Sequence, residues 1–430
     1  MYDQNDYMFY HIYTLSAAGA PFANDYSHAA RRLGEIAKWI PHIKGLGMNA
    51  VLLGPALMSK THGYDVTDYF KVDSRLGTNA EFKELVARFR DAGLRVALDS
   101  VFNHCGRDFF AFKELLNGNR DYAGWFSGVD FRQSSPLGDP FAYDCWSGCH
   151  DLVKFNLRNS DAKKYLLDAA RYWITEFKID GMRLDSANVI DFGFMRELRD
   201  AAASIKQDFW LMGEVVAGDY SRWTTDAALD GVTGYMLYKA LFSSHNNNNL
   251  FELAHTVANS VPANGLPHYN FLDNHDQPRI ADIVNDRAHL NTLYPLLFTL
   301  PGTPSVYYGS EWELLGRKEN GSDRPLRPYI DIDHAPPETG VTRLIRKLAE
   351  IRGERPALRR GSYRHLYLQY QKPFVFERSH GGERVVVAVN ISNKEEALIM
   401  DGRFTRDLLT GEPVNPANFT IRPHSAMIMA

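Results

Sequence analysis

The chain has 430 residues, of which 45% are hydrophobic and 23% charged, an ordinary globular balance with room for a barrel of about 250 residues and more. Its net charge of −4 and pI near 6.4 give no ground for nucleic acid or an anionic membrane as a partner. No run approaches roughly 18 apolar residues. The polar, acidic start Met1-Tyr2-Asp3-Gln4-Asn5-Asp6 lacks a signal-peptide pattern, so a cytoplasmic location is expected.

The first predicted strand covers 8–13. A helix is expected over 27–45, capped by Ser27, with Leu33, Ile36, Ala37, Ile40 and Ile43 at helical spacing and a break at Pro41. Gly45 and Gly47 stop it, and a buried strand follows at 49–53. Asn79 is read as the cap of the next helix, which carries Phe82, Leu85, Val86 and Phe89. Gly93 ends that helix and 94–99 form a strand. A third unit runs from Ser160 through Leu166, Trp173 and Phe177 into a strand at 179–185. Further strands are expected at 209–214, 231–236, 268–273 and 304–308.

Strands alternating with helices imply parallel pairing and right-handed crossovers. Eight strands point to a (β/α)8 TIM barrel, an α/β fold. A doubly wound open sheet is the rival, weakened by the lack of a glycine-rich dinucleotide fingerprint. Periodicity vanishes between His104 and Ser160, a stretch far longer than the usual 2–6 residues of such loops. It reads as a lid inserted after the third strand. After about residue 355, strands at 374–378 and 384–391 flank the Gly381-Gly382 turn and suggest a C-terminal antiparallel β-sandwich. The expected division is 1–104 and 160–354 for the barrel, 105–159 for the lid and 355–430 for the sandwich. Asn246 to Asn249 read as a surface loop.

Cys105, Cys145 and Cys149 are too few for a disulfide framework and fit a reducing compartment. A metal site with the adjacent His104 and His150 is the rival reading, but the spacing matches no usual zinc pattern.

Four strand runs end on carboxylates: Asp99, Asp185, Glu214 and Asp273, the last continuing into Asn274-His275-Asp276. Acids at the carboxyl ends of barrel strands converge on one site. Arg183 shares a strand face with Asp185 and favours its ionised form, which suits a nucleophile. Glu214 follows an apolar Phe-Trp-Leu-Met run, which would raise its pKa and suit a proton donor. His104 and His275, at two strand ends, suggest a hydroxyl-binding pocket. A pair of carboxylates, one ionised and one protonated, is the general means of splitting a glycosidic bond.

These residues resemble the α-amylase family of retaining glycoside hydrolases. The match lies in Gly63-Tyr64-Asp65-Val66-Thr67-Asp68-Tyr69, Asp99-Ser100-Val101-Phe102-Asn103-His104, Gly181-Met182-Arg183-Leu184-Asp185, Gly213-Glu214-Val215 and Phe271-Leu272-Asp273-Asn274-His275-Asp276, in the family's order. The resemblance implies that Asp185 is the nucleophile, Glu214 the acid/base and Asp276 the transition-state stabiliser. It implies substrate-binding roles for Tyr64, Asp65, His104, Arg183 and His275, with Asp99 and Asn103 behind them. The expected activity is cleavage of α-1,4 bonds in maltooligosaccharides, cyclodextrins or starch-derived α-glucans, these being the expected partners. A glucosyltransferase or an α-1,6-glucosidase is the alternative within the family. A metal-dependent barrel hydrolase using His104 and His275, or a non-catalytic relative, is the alternative in another class.

The likeness is to neopullulanase- and cyclomaltodextrinase-like members, whose N-terminal β-domain this chain is expected to lack. Three departures stand out. Val189 after Asn188 fits neither the Lys-His nor the Asn-Glu pattern of relatives. Lys154 stands where calcium-binding amylases tend to have Asp. The segment Ala17-Ala18-Gly19-Ala20-Pro21 lacks an Asp/Asn metal loop. No cofactor or metal is expected to be required, calcium being disfavoured.

Overall fold

The computed structural model describes residues 4–27, 29–260, 268–400, 402 and 404–430. The signal-peptide reading rests partly on Met1 to Asp3, which lie outside the described residues. Among the described residues no helix is long and apolar enough to cross a membrane.

Eight parallel strands close into a barrel: β1 (Phe9–Ile12), β2 (Ala50–Leu53), β3 (Arg95–Ser100), β4 (Gly181–Leu184), β5 (Trp210–Gly213), β6 (Gly231–Thr233), β7 (His268–Phe271) and β8 (Thr303–Tyr307). β1 pairs with both β2 and β8, which closes the sheet and rules out the open doubly wound rival. All eight expected strands are present. Side chains alternate across a strand, so Phe9, Leu52, Ala97, Met212 and Phe271 fill the interior as one apolar cluster. Tyr10, Val51, Leu98, Met182 and Leu211 face outward into the larger core shared with the helices. Two residues beyond the interior positions Ala97 and Met212, the same parity brings Asp99 and Glu214 to the barrel mouth.

A glycine is needed at the start of β4. A Cβ on Gly181 would lie 2.7 Å from the Trp210 carbonyl oxygen. Its absence lets Trp210 stack on Phe9 with ring centroids 4.8 Å apart, and this pair plugs the barrel beneath the acids.

The first helix differs from its sequence reading. Ser27 and residues 29–32 are not helical, because Ala30 N and Arg32 N donate instead to the carbonyls of Ser74 and Leu76. Helices form at Leu33–Ala37 and Ile40–Gly45, with Pro41 in the first turn of the second, where its missing N–H costs nothing. Thr78, not Asn79, caps Asn79–Asp91, in a reciprocal capping box with Glu81. The Asn79 amide is engaged elsewhere, accepting from Val72 N at 2.8 Å. The strand expected to reach 236 stops at Thr233, and Tyr235 opens the helix Tyr235–Asn246.

Between β3 and the helix Ser160–Phe177 lies a three-stranded antiparallel sheet of His104–Gly106, Cys145–Trp146 and Cys149–Lys154. Its strand Cys149–Lys154 pairs directly with His104–Gly106, tying this segment to the barrel rim. The three cysteines are free thiols. Beyond the barrel, a four-stranded antiparallel sheet of β9 (Ser362–Tyr367), β10 (Phe374–His380), β11 (Glu383–Asn390) and β12 (Ser425–Met429) packs with a two-stranded sheet of Glu396–Leu398 and Phe419–Ile421. Their shared core includes Val375, Val386, Leu398, Phe404 and Phe419. Gly381 and Gly382 both have positive φ and form the expected turn between β10 and β11.

Candidate active site

Asp99 and Arg183 face each other in register across β3 and β4. The Arg183 side chain is buried and serves three carboxylates. Its Nη1 donates to Asp99 Oδ1 at 2.7 Å and to Asp185 Oδ1 at 3.0 Å, and its Nη2 lies 2.7 Å from Glu214 Oε1. The planar fork of a guanidinium allows this sharing, which an ammonium could not reproduce. Ser186 adopts a left-handed φ of 51° just past β4, an uncommon conformation for a side-chain-bearing residue. That turn directs its N–H to Glu214 Oε2 at 3.0 Å and its hydroxyl to Asp185 Oδ2 at 3.0 Å. Tyr235 adds a third donor to Glu214, at 3.1 Å.

Burial pushes the Asp185 carboxyl well above the usual range. Arg183 pulls it down, while Glu214, Asp99 and Asp276 push it further up. Arg183 favours the ionised form, the direction expected from sequence, but one guanidinium divided among three buried carboxylates works against their desolvation and mutual repulsion. The surroundings of Glu214 also differ from the apolar pocket expected of it. The strand before it is apolar, but the carboxylate itself meets Ser186, Tyr235 and Arg183. The cluster thus sets three carboxylates around one guanidinium.

Asp276 is placed differently. His275 Nε2 lies 3.0 Å from its Oδ2 and Arg327 Nη2 lies 2.8 Å from its Oδ1. Burial would raise this carboxyl, but His275 and then Arg327 hold it well below the usual range. Asp276 is thus held ionised. Arg327 also donates to the His275 carbonyl at 3.0 Å, fixing the loop that carries both residues. Asp273, which ends the apolar run of β7, is structural: it accepts from Ser310 Oγ and from the Ile280 N–H.

The Tyr64 hydroxyl donates to Asp99 Oδ2 at 2.9 Å and also meets His275 Nε2. Its ring stacks on His275 at 5.6 Å. The Asn103 amide lies 3.2 Å from His104 Nδ1. Burial holds the His104 imidazole down to about 3, so it is neutral at pH 7. Among the described residues its Nε2, His275 Nδ1 and Asn103 Oδ1 are buried without hydrogen-bond partners, and such groups fit a ligand rich in hydroxyls. Asp65 stands apart. Its Oδ2 takes the Thr61 hydroxyl at 2.6 Å, and among the described residues no hydrogen bond or ion pair joins it to the carboxylates.

Sequence reasoning missed Arg327, Tyr235, Ser186 and Tyr13. Tyr13 follows β1, stacks on His275 at 6.0 Å and accepts from Arg327 at 3.2 Å. Its place at a strand end was a usable signal. Arg327 lies in an irregular stretch after β8 with no periodicity to mark it. Among the described residues no group of three or more His, Cys, Asp or Glu side chains is arranged to hold a metal ion.

The model of the α-amylase catalytic domain matches residues 21–335. The chain belongs to the α-amylase family. Among relatives in this family, a cyclomaltodextrinase of Thermoanaerobacter pseudethanolicus is 32% identical over 84% of this chain and 64% of its own length. Neopullulanase 2 of Thermoactinomyces vulgaris is 29% identical over 91% of this chain and 69% of its own. The chain therefore spans just under two thirds of the length of the first of these α-amylase-family relatives. A solved structure of the cyclic α-maltosyl-(1→6)-maltose hydrolase of Arthrobacter globiformis is 27% identical and superposes with a TM-score of 0.83, covering 99% of both chains. The family's enzymes use a retaining mechanism.

Proposed function

We propose that this chain cleaves α-1,4-glucosidic bonds of maltooligosaccharides, cyclodextrins or starch-derived α-glucans with retention of configuration. The observation that carries the proposal is the pair Asp185 and Glu214, bridged by both Arg183 and Ser186 at the barrel mouth. Asp185, once ionised, attacks the anomeric carbon while Glu214 protonates the departing glycosidic oxygen. Glu214 then takes a proton from the water that releases the glycosyl ester. Asp276, held ionised by Arg327 and His275, takes hydroxyls of the distorted ring. Tyr64 lies under that ring, and His104 and His275 offer their unpartnered nitrogens to further hydroxyls. Asp99 and Asn103 support Arg183 and His104. Asp65 acts from the edge, through the loop it shares with Thr61.

The proposal needs no metal or other cofactor, and its partner is the glucan itself, with no nucleic acid or membrane. A cytoplasmic location is supported by the sparse, unpaired cysteines. The barrel residues 1–104 and 160–354 carry the reacting groups, 105–159 form the lid and 355–430 the appended sheets. The α-1,6 reading is kept because of the likeness to the Arthrobacter hydrolase, whose name includes a 1→6 linkage.

The test is Asp185→Asn and Glu214→Gln on a panel of linear maltooligosaccharides, cyclodextrins and α-1,6-linked substrates. Loss of about 10³-fold or more in kcat for both variants is expected. Turnover like the wild type in either rejects the assigned roles. Faster cleavage of the 1,6-linked substrates selects the second reading.

A further inference from the structure

A cavity of about 820 Å³ is bordered by Tyr13 and Arg327, both of which also touch His275 of the candidate site. Five arginines line it against a single acid, Glu35. In a chain of net charge −4 this is a local excess of positive charge.

The excess is not all neutralised by protein. Arg75 is paired with Asp73, and Arg327 with Asp276 and Asp323. Glu35 is engaged by Lys38 at 2.9 Å. Arg31 is largely exposed, with Glu81 at 3.9 Å. Arg32 is half-buried, and its Nη1 donates only to a backbone carbonyl, that of Arg75, at 3.0 Å. Arg324 lies over the Phe22 ring at 4.9 Å. Among the described residues neither Arg32 nor Arg324 has a carboxylate partner. Two guanidiniums lining one cavity without counter-charge favour a bound anion, which takes charge-assisted, forked hydrogen bonds from them. The exposed rings of Phe22 and Tyr329 on the same lining give a sugar ring an apolar face to lie against.

We propose that this cavity receives an anionic substituent, a phosphate ester or a carboxylate, borne by a sugar unit next to the one being cleaved. The inference rests on the α-glucan reading above and narrows it to charged glucans. Arg324 and Arg32 hold the anion, and Arg327 couples it to Asp276.

The test uses three linear maltooligosaccharides of equal length: neutral, phosphorylated at one C6 hydroxyl, and oxidised to the uronate at one C6. Both kcat/KM and calorimetric affinity are measured for the full chain. An advantage of at least fivefold for a charged substrate is expected. It should fall to about one in Arg324→Gln and in Arg32→Gln/Arg324→Gln, the single variant of the exposed Arg324 guarding against a folding defect. An advantage for the phosphate alone or the uronate alone identifies the anion. Equal or weaker handling of both charged substrates overturns the proposal. If no glucan is turned over, the functional reading fails by itself, and the affinity ratio still decides whether the cavity prefers charge.

Discussion

Arg183 on β4 reaches across to Glu214 at the end of β5, at 2.7 Å. The contact joins the proposed acid/base to the residue that also holds the proposed nucleophile. Arg183→Lys keeps the charge but cannot span Asp99, Asp185 and Glu214 at once. Breaking a buried charged contact costs about 3–5 kcal/mol, so kcat should fall by about 10²-fold or more, with a smaller change in KM. Steady-state kinetics on a maltooligosaccharide, with circular dichroism to confirm folding, check this. A variant within threefold of wild type would mean that the shared guanidinium is dispensable.

The acid limb of the pH profile should be displaced. Asp185 must be ionised to attack, and burial with its neighbouring carboxylates raises its pKa above the ordinary 3.8. As pH falls, kcat/KM should therefore drop at a pH well above 3.8. Asp99→Asn removes one repelling charge and leaves Arg183 Nη1 to Asp185, so the limb should move down. A limb at or below 3.8, or one that moves up in the variant, contradicts this charge balance.

Stability should fall on mild acidification. Burial holds His104 and His245 at about 3 and His268 at about 4, against 6.5 for an ordinary imidazole. Each is neutral in the folded state and takes a proton on unfolding below about 6.5. Its contribution is full above that value and drains as pH falls toward the folded pKa, by about 1.4 kcal/mol per pH unit. The raised carboxyls Asp185 and Asp273 act in the opposite sense, so a difference isolates the histidine effect. Among the described residues His245 bonds only to the Leu241 carbonyl and Thr292 Oγ1. Denaturant unfolding of wild type and His245→Gln at pH 7, 6 and 5 should show the wild-type advantage shrinking by about 1.4 kcal/mol per unit below 6.5. A constant difference would mean that His245 titrates normally.

Activity should survive exhaustive chelation. Arg75 already ties the loop after β1 to the one after β2. It donates to the carbonyls of Pro21 at 3.1 Å and Thr61 at 2.6 Å and to Ser59 Oγ at 2.7 Å, while paired with Asp73. A fixed internal cation thus cross-links the two loops. Activity assays before and after chelation, with calcium added back, check this. Loss restored by calcium would overturn it.

The barrel was legible because its strands are short apolar runs set between helical periods and glycines, and because alternation brings every second strand residue to one face. That parity also made Asp99, Arg183, Asp185 and Glu214 readable together. Helix starts were less legible: Ser27 and Asn79 look like caps, but the backbone near Ser27 pairs with residues 74–76 and the Asn79 amide serves Val72. Arg327 and Tyr235 were hidden for another reason. Each reaches its carboxylate from a segment whose path is set by tertiary packing, and no local pattern encodes that reach. Around Asp185 only one neighbour, Arg183, was visible in sequence, because the competing carboxylates converge on it only in three dimensions.

The most direct test is to trap the covalent intermediate. A fluorinated α-glucosyl donor with a good leaving group, which forms the glycosyl ester faster than it is hydrolysed, is incubated with the full chain and the adduct is mapped by mass spectrometry of peptides. One glycosyl unit on Asp185, absent in Asp185→Asn, is the predicted result. A donor consumed with no adduct, or an adduct on any other residue, would contradict the account.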